Sequence, residues 1–278
     1  MGGPVRSRGL HVSMTNGALH DGWVVAKRNL IKIKRVPDLV IFSTIQPIMF
    51  VLLFAYVFGG AIAVQGVNYK DYLMPGIFVQ TVAFGSALTA IGLADDLQKG
   101  IVDRFRSLPM SRAAVLIGRT TSDLLNNALT VTVMSITGLI VGWRIHTGLG
   151  KGILGFLLLF LFAYSMSWIA AVIGLSVKSV EVAQSAGFIW MFPLTFLSNA
   201  FVSTATLPAV LRPIADWNPI SSVVLALRDL WGNAPASVDR GSGFPSHHPQ
   251  FLAVAWCALI LIIFVPFAIS RYRKAAAR

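Results

Sequence analysis

The sequence predicts an all-α polytopic membrane protein, and three observations lead to this prediction. Only 12% of the 278 residues are charged, about half of the share found in an average soluble domain. Six long stretches contain no Asp, Glu, Lys or Arg. Lys and Arg are concentrated in alternate connections between these stretches, which is typical of chains that cross a membrane several times.

The six uncharged stretches predict six transmembrane helices. Each reaches the ~20 residues that cross a hydrocarbon layer about 30 Å thick, and a soluble protein of this length would not bury six such helices. We expect a disordered cytoplasmic segment at 1–20, without the apolar region of a secretory signal, and Met14 offers an alternative start. A single membrane domain follows at 21–278, with spans at about 39–60, 72–94, 114–143, 152–177, 182–204 and 250–270.

The distribution of the basic residues predicts the orientation of the chain. With six spans, 17 of the 23 Lys and Arg residues fall on the side of both termini and 6 on the other side. The positive-inside rule therefore places both termini in the cytoplasm. The formal net charge of +12 is explained by this topology, and we do not expect nucleic acid as a partner.

The stretch WVVAKRNLIKIKRVPD, before the first span, predicts an amphipathic helix at the membrane surface. Apolar residues recur on one side at spacings of three and four, while cationic residues occupy the opposite side. Pro37 ends this helix and directs the chain into the bilayer. The alternative is an ordinary basic flank that fixes orientation. The residues assigned to the helix are Trp23, Lys27, Arg28, Leu30, Lys32, Ile33 and Arg35.

Prolines divide the region around the fifth and sixth spans. Pro193 lies in the middle of the fifth span and predicts a kink or a break. Between the two spans, Pro208, Pro213 and Pro219 separate short apolar pieces. The piece from Ser221 to Leu230 is too short to cross a bilayer, so we expect a re-entrant hairpin that enters from the outer face.

The stretch LADDLQKGIVDRFRSLPMSR concentrates seven charged residues between the second and third spans. In a helical register, Leu97, Ile101, Phe105 and Leu108 form one apolar stripe, charged residues cover the rest, and Pro109 ends the helix. Such a helix suits a groove on a soluble partner. A helix that lies on lipid would show the same pattern, and the residues alone do not separate the two interpretations.

The sequence lacks the residues with which a transporter would power itself. The nearest approach to a nucleotide-binding loop, HTGLGKGIL, has the wrong glycine spacing, and Lys151 is followed by Gly152 instead of Ser or Thr. We expect no metal site and no catalytic residues. The six uncharged stretches hold no titratable relay of the kind that ion-coupled carriers use; Asp123 and Glu181 lie only at their edges. The chain is therefore either a passive pore or driven by a partner.

Five stretches resemble the ABC-2 type permeases of ABC transporters, within them the daunorubicin-resistance (DrrB-like) group: KIKRVPDLV, FAYVFGGA, YLMPGIFVQT, GIVDRFRSLPMSR and NPISSVVLALRDLWGN. The resemblance implies six spans, an N-terminal elbow helix, a cytoplasmic coupling helix between spans two and three, and a re-entrant pair before span six. It also implies a second permease subunit, identical or different, and two copies of an ABC ATPase subunit. ATP and Mg would bind that partner, and this chain would hold no cofactor.

By this resemblance, the chain is expected to be the permease subunit of an ATP-driven exporter of hydrophobic or amphiphilic compounds, in the bacterial plasma membrane. Multidrug efflux with antibiotic resistance is one expectation. Export of cell-envelope lipid or polysaccharide is an alternative, and a stand-alone channel or secondary carrier is another. The ATPase docking residues would be Asp95, Asp96, Leu97, Gly100, Ile101, Asp103, Arg104, Phe105, Arg106, Leu108, Pro109 and Arg112.

An aromatic-rich set in the fifth span supplies candidate cargo contacts. Aromatic rings and a methionine thioether give adaptable contact to a polyaromatic or lipidic molecule. Ordinary packing or contact with lipid is the alternative for the same residues. The set comprises Phe188, Trp190, Met191, Phe192 and Phe196.

Overall fold

A computed structural model describes residues 37–58, 68–100, 112–201, 207–234 and 243–275. The regular elements in these ranges are all helical. The residues assigned to the elbow helix (23–35) and most of those assigned to docking (101–109) lie outside the described ranges.

The α-helices are α1 Pro37–Leu52, α2 Tyr69–Gly85, α3 Ala87–Gln98, α4 Arg112–Val141, α5 Leu149–Gly174, α6 Val180–Phe196, α7 Arg212–Asp216, α8 Pro219–Trp231, α9 Phe244–His247 and α10 Pro249–Ala275, and a π-helical segment, Leu53–Phe58, follows α1.

Four stretches of helix in the described part of the chain are long and apolar enough to cross a membrane. They are Tyr69–Gln98, Leu116–Val141, Leu149–Gly174 and Pro249–Lys274, and they coincide with predicted spans two, three, four and six. The chain is thus an all-helical, polytopic membrane protein. A shorter apolar stretch, Ile45–Val57, lies in the first predicted span.

The fifth predicted span, 182–204, differs from the observed helix. α6 passes through Pro193 and ends at Phe196, so it has 17 residues, fewer than the ~20 that cross a bilayer unaided. The expected break thus comes three residues after the proline. Proline removes its own N–H but keeps its carbonyl, and the Pro193 carbonyl accepts the Leu197 N–H at 2.9 Å. The six-span arrangement remains a prediction.

Helices α2 and α3 form one long element with a joint at Ser86. The Ser86 N–H bonds to the carbonyls of Val82 and Ala83, and its hydroxyl donates to Ala83 O at 2.7 Å. α3 then continues to Gln98, and the chain turns at Gly100, which has a φ of 64°. The predicted docking helix from Asp95 to Leu108 does not begin at Asp95, because Asp95–Gln98 form the last turn of the long element, and the backbone leaves helical geometry at Gly100.

Helix α8 is short, well capped and almost entirely buried. The side chain of Asn218 accepts the Ile220 N–H at 2.8 Å, Pro219 occupies the first turn, and Gly232 ends the helix with a φ of 70°. Its 13 residues extend about 20 Å at 1.5 Å per residue. As expected for the Ser221–Leu230 piece, this helix is too short to cross a bilayer.

Two hydrophobic clusters hold the helices together. The larger one joins α2, α4, α5, α8 and α10 around Phe78, Trp143 and Trp231. The smaller one packs α3, α4, α5 and α10 around Leu93, Trp168 and Tyr272. We call the end of the bundle with the smaller cluster, residues 95–100, 116–123 and 271–274, the charged end. The opposite end, with residues 69–78, 141–156 and 228–233, is the aromatic end.

Candidate functional site

The charged end carries the described part of the predicted docking segment. Asp95 forms an exposed ion pair with Lys99, with 2.7 Å between Oδ2 and Nζ. Gln98 Nε2 donates to the Lys178 carbonyl, between α5 and α6, at 3.4 Å. Leu97 packs against the smaller hydrophobic cluster. This last turn of α3 therefore combines exposed charge with one anchored apolar side chain.

At the charged end, the side chain of Arg119 extends from α4 toward α3. Its Nη2 atom donates to the Leu88 carbonyl at 3.4 Å, and its Nη1 lies 3.7 Å from Asp96 Oδ2. Its Nε lies 3.6 Å from Asp123 Oδ2, which is too far for a hydrogen bond, so that contact is electrostatic. Gly92 makes room for the guanidinium, because a Cβ at that position would overlap it.

Asp123 is more deeply placed than the sequence analysis expected. It lies inside the candidate span Leu116–Val141 and is only 6% exposed. The Thr89 hydroxyl donates to its Oδ2 at 2.7 Å. The sequence places Asp123 at the edge of an uncharged stretch, whereas the candidate membrane-crossing stretch of helix begins earlier, at Leu116, and includes it. A spacing of four residues between Arg119 and Asp123 on one helix was the available sequence signal.

Glu181, the other titratable residue near a span edge, is in the exposed first turn of α6. Its own backbone N–H, followed by the Ser179 hydroxyl, lowers the pKa of its carboxyl below the usual value. Ser179 also caps the helix by accepting the Val182 N–H at 3.3 Å. Glu181 therefore remains ionised and belongs to the helix cap.

Arg228 is the central polar residue of the aromatic end. It is only 1% exposed, and its guanidinium donates to the carbonyls of Tyr72 (2.9 Å), Asn199 (3.0 Å) and Ala200 (3.3 Å). It also lies 3.6 Å from the centre of the Tyr72 ring, a cation–π distance. Where a helix ends, carbonyls lose their helical partners. Arg228 binds two carbonyls in the chain that follows α6, those of Asn199 and Ala200.

The chain after α6 is bound from several sides. The Ser221 hydroxyl accepts the Asn199 N–H at 3.0 Å, and the Asn218 side-chain amide donates to the carbonyls of Leu194 and Leu197. Gly76 permits the close approach of α2, because a Cβ there would overlap the Ala200 carbonyl. The sequence analysis counted Arg228 as a loop charge and assigned no role to Asn218 or Ser221.

The connection between α4 and α5 closes the aromatic end. Trp143 Nε1 donates to Asn233 Oδ1 at 3.0 Å, and Trp231 Nε1 donates to the Gly152 carbonyl at 3.1 Å. The two indoles lie 5.3 Å apart in an edge-to-face arrangement. Asp71 Oδ2 lies 3.0 Å from His146 Nε2. Both indole N–H groups therefore have hydrogen-bond acceptors within the aromatic end.

The candidate cargo residues occupy more than one face of α6. Phe188, Phe192 and Phe196 share one face, with centroid distances of 6.2 and 5.9 Å between successive rings. Phe84 joins this row at 5.4 Å from Phe192. Met191 is instead buried in the larger cluster, and Trp190 is half-buried against it. Only the three phenylalanines of the candidate set form one accessible aromatic surface.

The family model of ABC-2 type transporters matches residues 21–230. The chain belongs to the ABC-2 type transporter family. This ABC-2 permease is 32% identical over 248 residues to the daunorubicin resistance permease protein DrrB1 of Streptomyces coeruleorubidus, covering 89% of this chain and 84% of the relative. It is 24% identical to a probable doxorubicin resistance permease, DrrC, of Mycobacterium tuberculosis, over 85% and 82% of the two chains.

A third relative is described only as a transport permease. The putative transport permease ycf38 of Cyanophora paradoxa is 25% identical over 76% of this chain and 74% of its own. In this family the permease is a membrane subunit, and hydrolysis of ATP belongs to a separate subunit. The residues that match the family model include the Arg119 contacts and the Arg228 contacts, so both lie in the shared domain.

Proposed function

We propose that this ABC-2 permease is the membrane subunit of an ATP-driven exporter of hydrophobic or amphiphilic drugs. The observation that carries the proposal is the 32% identity with a daunorubicin resistance permease over 89% of this chain. The chain has no nucleotide-binding loop of its own, so a separate ABC ATPase supplies the energy. Two permease subunits, identical or mixed, sit on two ATPase subunits.

In this proposal the chain crosses the bacterial plasma membrane six times, with both termini in the cytoplasm. The charged end then faces the cytoplasm, and residues 95–112 bind the ATPase. The exposed charges of Asp95 and Lys99 suit the rim of such an interface. An elbow helix at residues 23–35 lies on the inner leaflet, and α8 belongs to a re-entrant pair that enters from the outer side.

Cargo contacts the phenylalanine row on α6. Phe192 and Phe196 are 49% and 62% exposed, which leaves their faces accessible to a polyaromatic drug. Stacking on aromatic faces tolerates many ring systems, so this surface supports broad instead of narrow specificity. Nucleotide binding closes the ATPase pair, displaces the charged end, and changes access to this surface.

Disruption of the apolar stripe in the predicted docking segment tests whether the permease binds an ATPase subunit through this segment. Replacing Ile101 and Phe105 with Asp places two charges on the predicted apolar ridge, so the ATPase subunit should no longer copurify with the permease. The matched control replaces the exposed Leu149 and Val210 with Asp and should copurify as the unaltered chain does. Copurification of the Ile101→Asp/Phe105→Asp variant at normal yield would contradict the docking assignment.

A transport assay separates the proposed cargo and energy source from their alternatives. Proteoliposomes with the permease–ATPase complex should move daunorubicin only when ATP is present. Uphill movement by the permease alone would favour a secondary carrier, for which the buried Asp123 is the relevant feature. Movement of fluorescent lipid without movement of daunorubicin would instead favour export of envelope lipid.

A further inference from the structure

Arg119 joins the two helices that flank residues 99–111. It belongs to α4, but two of its three oxygen partners, Leu88 O and Asp96 Oδ2, lie on α3. The third, Asp123 Oδ2, lies one turn further along α4. The Thr89 hydroxyl donates to that same oxygen from α3. The two helices are therefore joined by polar contacts in both directions across their interface.

Gly92 is part of the same arrangement. The guanidinium of Arg119 crosses α3 at the position where any larger residue would carry its Cβ. Glycine in a helix interior costs about 1 kcal/mol relative to alanine. The close approach of Arg119 to α3 therefore depends on a residue that is otherwise unfavourable in a helix.

The stability of the fold does not account for these charges. Asp123 is buried within a candidate span, where an ionised group is expensive. Well-packed apolar side chains would usually join two helices at least as firmly as a buried ion pair. Ionisable groups at such depth are by default a sign of function.

We propose that Arg119, with Gly92, Asp96 and Asp123, is a positioning residue that makes α3 and α4 move as one body when the ATPase subunit acts on residues 99–111. This inference rests on the proposed function. Without the link, a displacement of the docking segment would move one helix relative to the other. With the link, the displacement reaches the phenylalanine row through α2, which continues directly from α3 at Ser86.

The test compares assembly, ATP hydrolysis and transport in the reconstituted permease–ATPase complex, with daunorubicin as the probe. For Arg119→Gln, we expect normal copurification, ATP hydrolysis within about twofold of the unaltered complex, and a tenfold or greater fall in drug moved per ATP hydrolysed. Gly92→Ala should reproduce this result, because it displaces the guanidinium without removing a charge. Gly150→Ala, at an open helix position, is the matched control and should have no effect.

One further variant keeps the test decisive if Arg119→Gln does not fold. The double variant Arg119→Gln/Asp123→Asn leaves no buried charge unpaired, so it should recover folded yield but not transport per ATP. An unchanged ratio of transport to hydrolysis in the assembled Gly92→Ala complex would overturn the proposal. Loss of copurification in that variant would also overturn it, because the cluster would then belong to the docking surface. Absence of ATP-dependent transport in the unaltered complex would instead count against the proposed function.

Discussion

The two ends of the helix bundle each contain an arginine that joins separate elements, but the two arginines bind different sets of partners. At the aromatic end, Arg228 donates to three main-chain carbonyls at 2.9 to 3.3 Å. At the charged end, Arg119 is 24% exposed; it donates to one main-chain carbonyl at 3.4 Å, and its two carboxylate partners lie 3.6 and 3.7 Å away. Main-chain partners cannot move without the backbone, whereas carboxylate side chains can change rotamer.

The two sets of contacts therefore hold different parts of the bundle. The aromatic end holds the chain after α6 against α2 through short hydrogen bonds in a buried setting. The charged end joins α3 to α4 through longer contacts, so Arg119 links these two helices to each other and not to the rest of the bundle. Such an arrangement suits a permease in which the ATPase displaces one end while the other end keeps its structure.

Replacement of Arg228 is expected to have the largest effect. Arg228→Met retains apolar length but leaves the carbonyls of the buried residues Asn199 and Ala200 without their arginine donor, at about 1–3 kcal/mol each. The free energy of unfolding should fall by about 2 kcal/mol or more, measured as a lower thermal midpoint in detergent. Arg273→Met, at an exposed position on α10, is the control. Comparable midpoints for the two variants would remove the contrast between the ends.

Thr89→Val should have an intermediate effect. The valine keeps the shape of the threonine but removes the donor to buried Asp123, so a loss of about 1–2 kcal/mol is expected. Thr120→Val is a matched control, because Thr120 is also fully buried and its hydroxyl bonds only to carbonyls of its own helix, at 3.0 and 3.1 Å. Equal destabilisation of the two variants would show that Asp123 does not require its partner on α3.

Exposed ion pairs should matter least at either end. Asp95→Asn breaks the pair with Lys99, in which the two side chains are 40% and 62% exposed, and should change stability by less than about 0.5 kcal/mol. His146→Gln, beside Asp71, should change it by less than about 1 kcal/mol, because the glutamine amide can also donate to Asp71. The effect of Asp95→Asn should fade at high salt. A larger loss for Asp95→Asn, with normal copurification, would indicate that the exposed turn stabilises the charged end.

The long helices were predictable because length and charge alone determine whether a segment can cross a bilayer. Spans two, three, four and six follow directly from the uncharged stretches, and α8 was expected to be too short because Pro219 precedes it. The end of α6 was not predictable from Pro193. That end depends on Arg228, Asn218 and Ser221, which bind the chain after Phe196 from a helix more than 20 residues away.

The candidate site was predicted less completely. The sequence pattern identified the charged segment between spans two and three, but it extended a docking helix through Gly100, which adopts a left-handed conformation. It grouped Met191 with the phenylalanines of α6 by composition, although the side chain points into the core. It treated Arg119, Asp123 and Arg228 as boundary charges, because a single sequence does not show which side chains meet across helices.

Membrane insertion could be predicted from the sequence alone, since it follows from the length of the uncharged stretches. The family could be predicted as well, from five stretches that resemble ABC-2 permeases. The pairing of α3 with α4 through Arg119, and of α8 with the end of α6 through Arg228, was decided by the folded arrangement. The contacts between separate elements join residues 23 to 156 positions apart. Their strength depends on burial and on distances of a few ångströms, and no local pattern encodes either quantity.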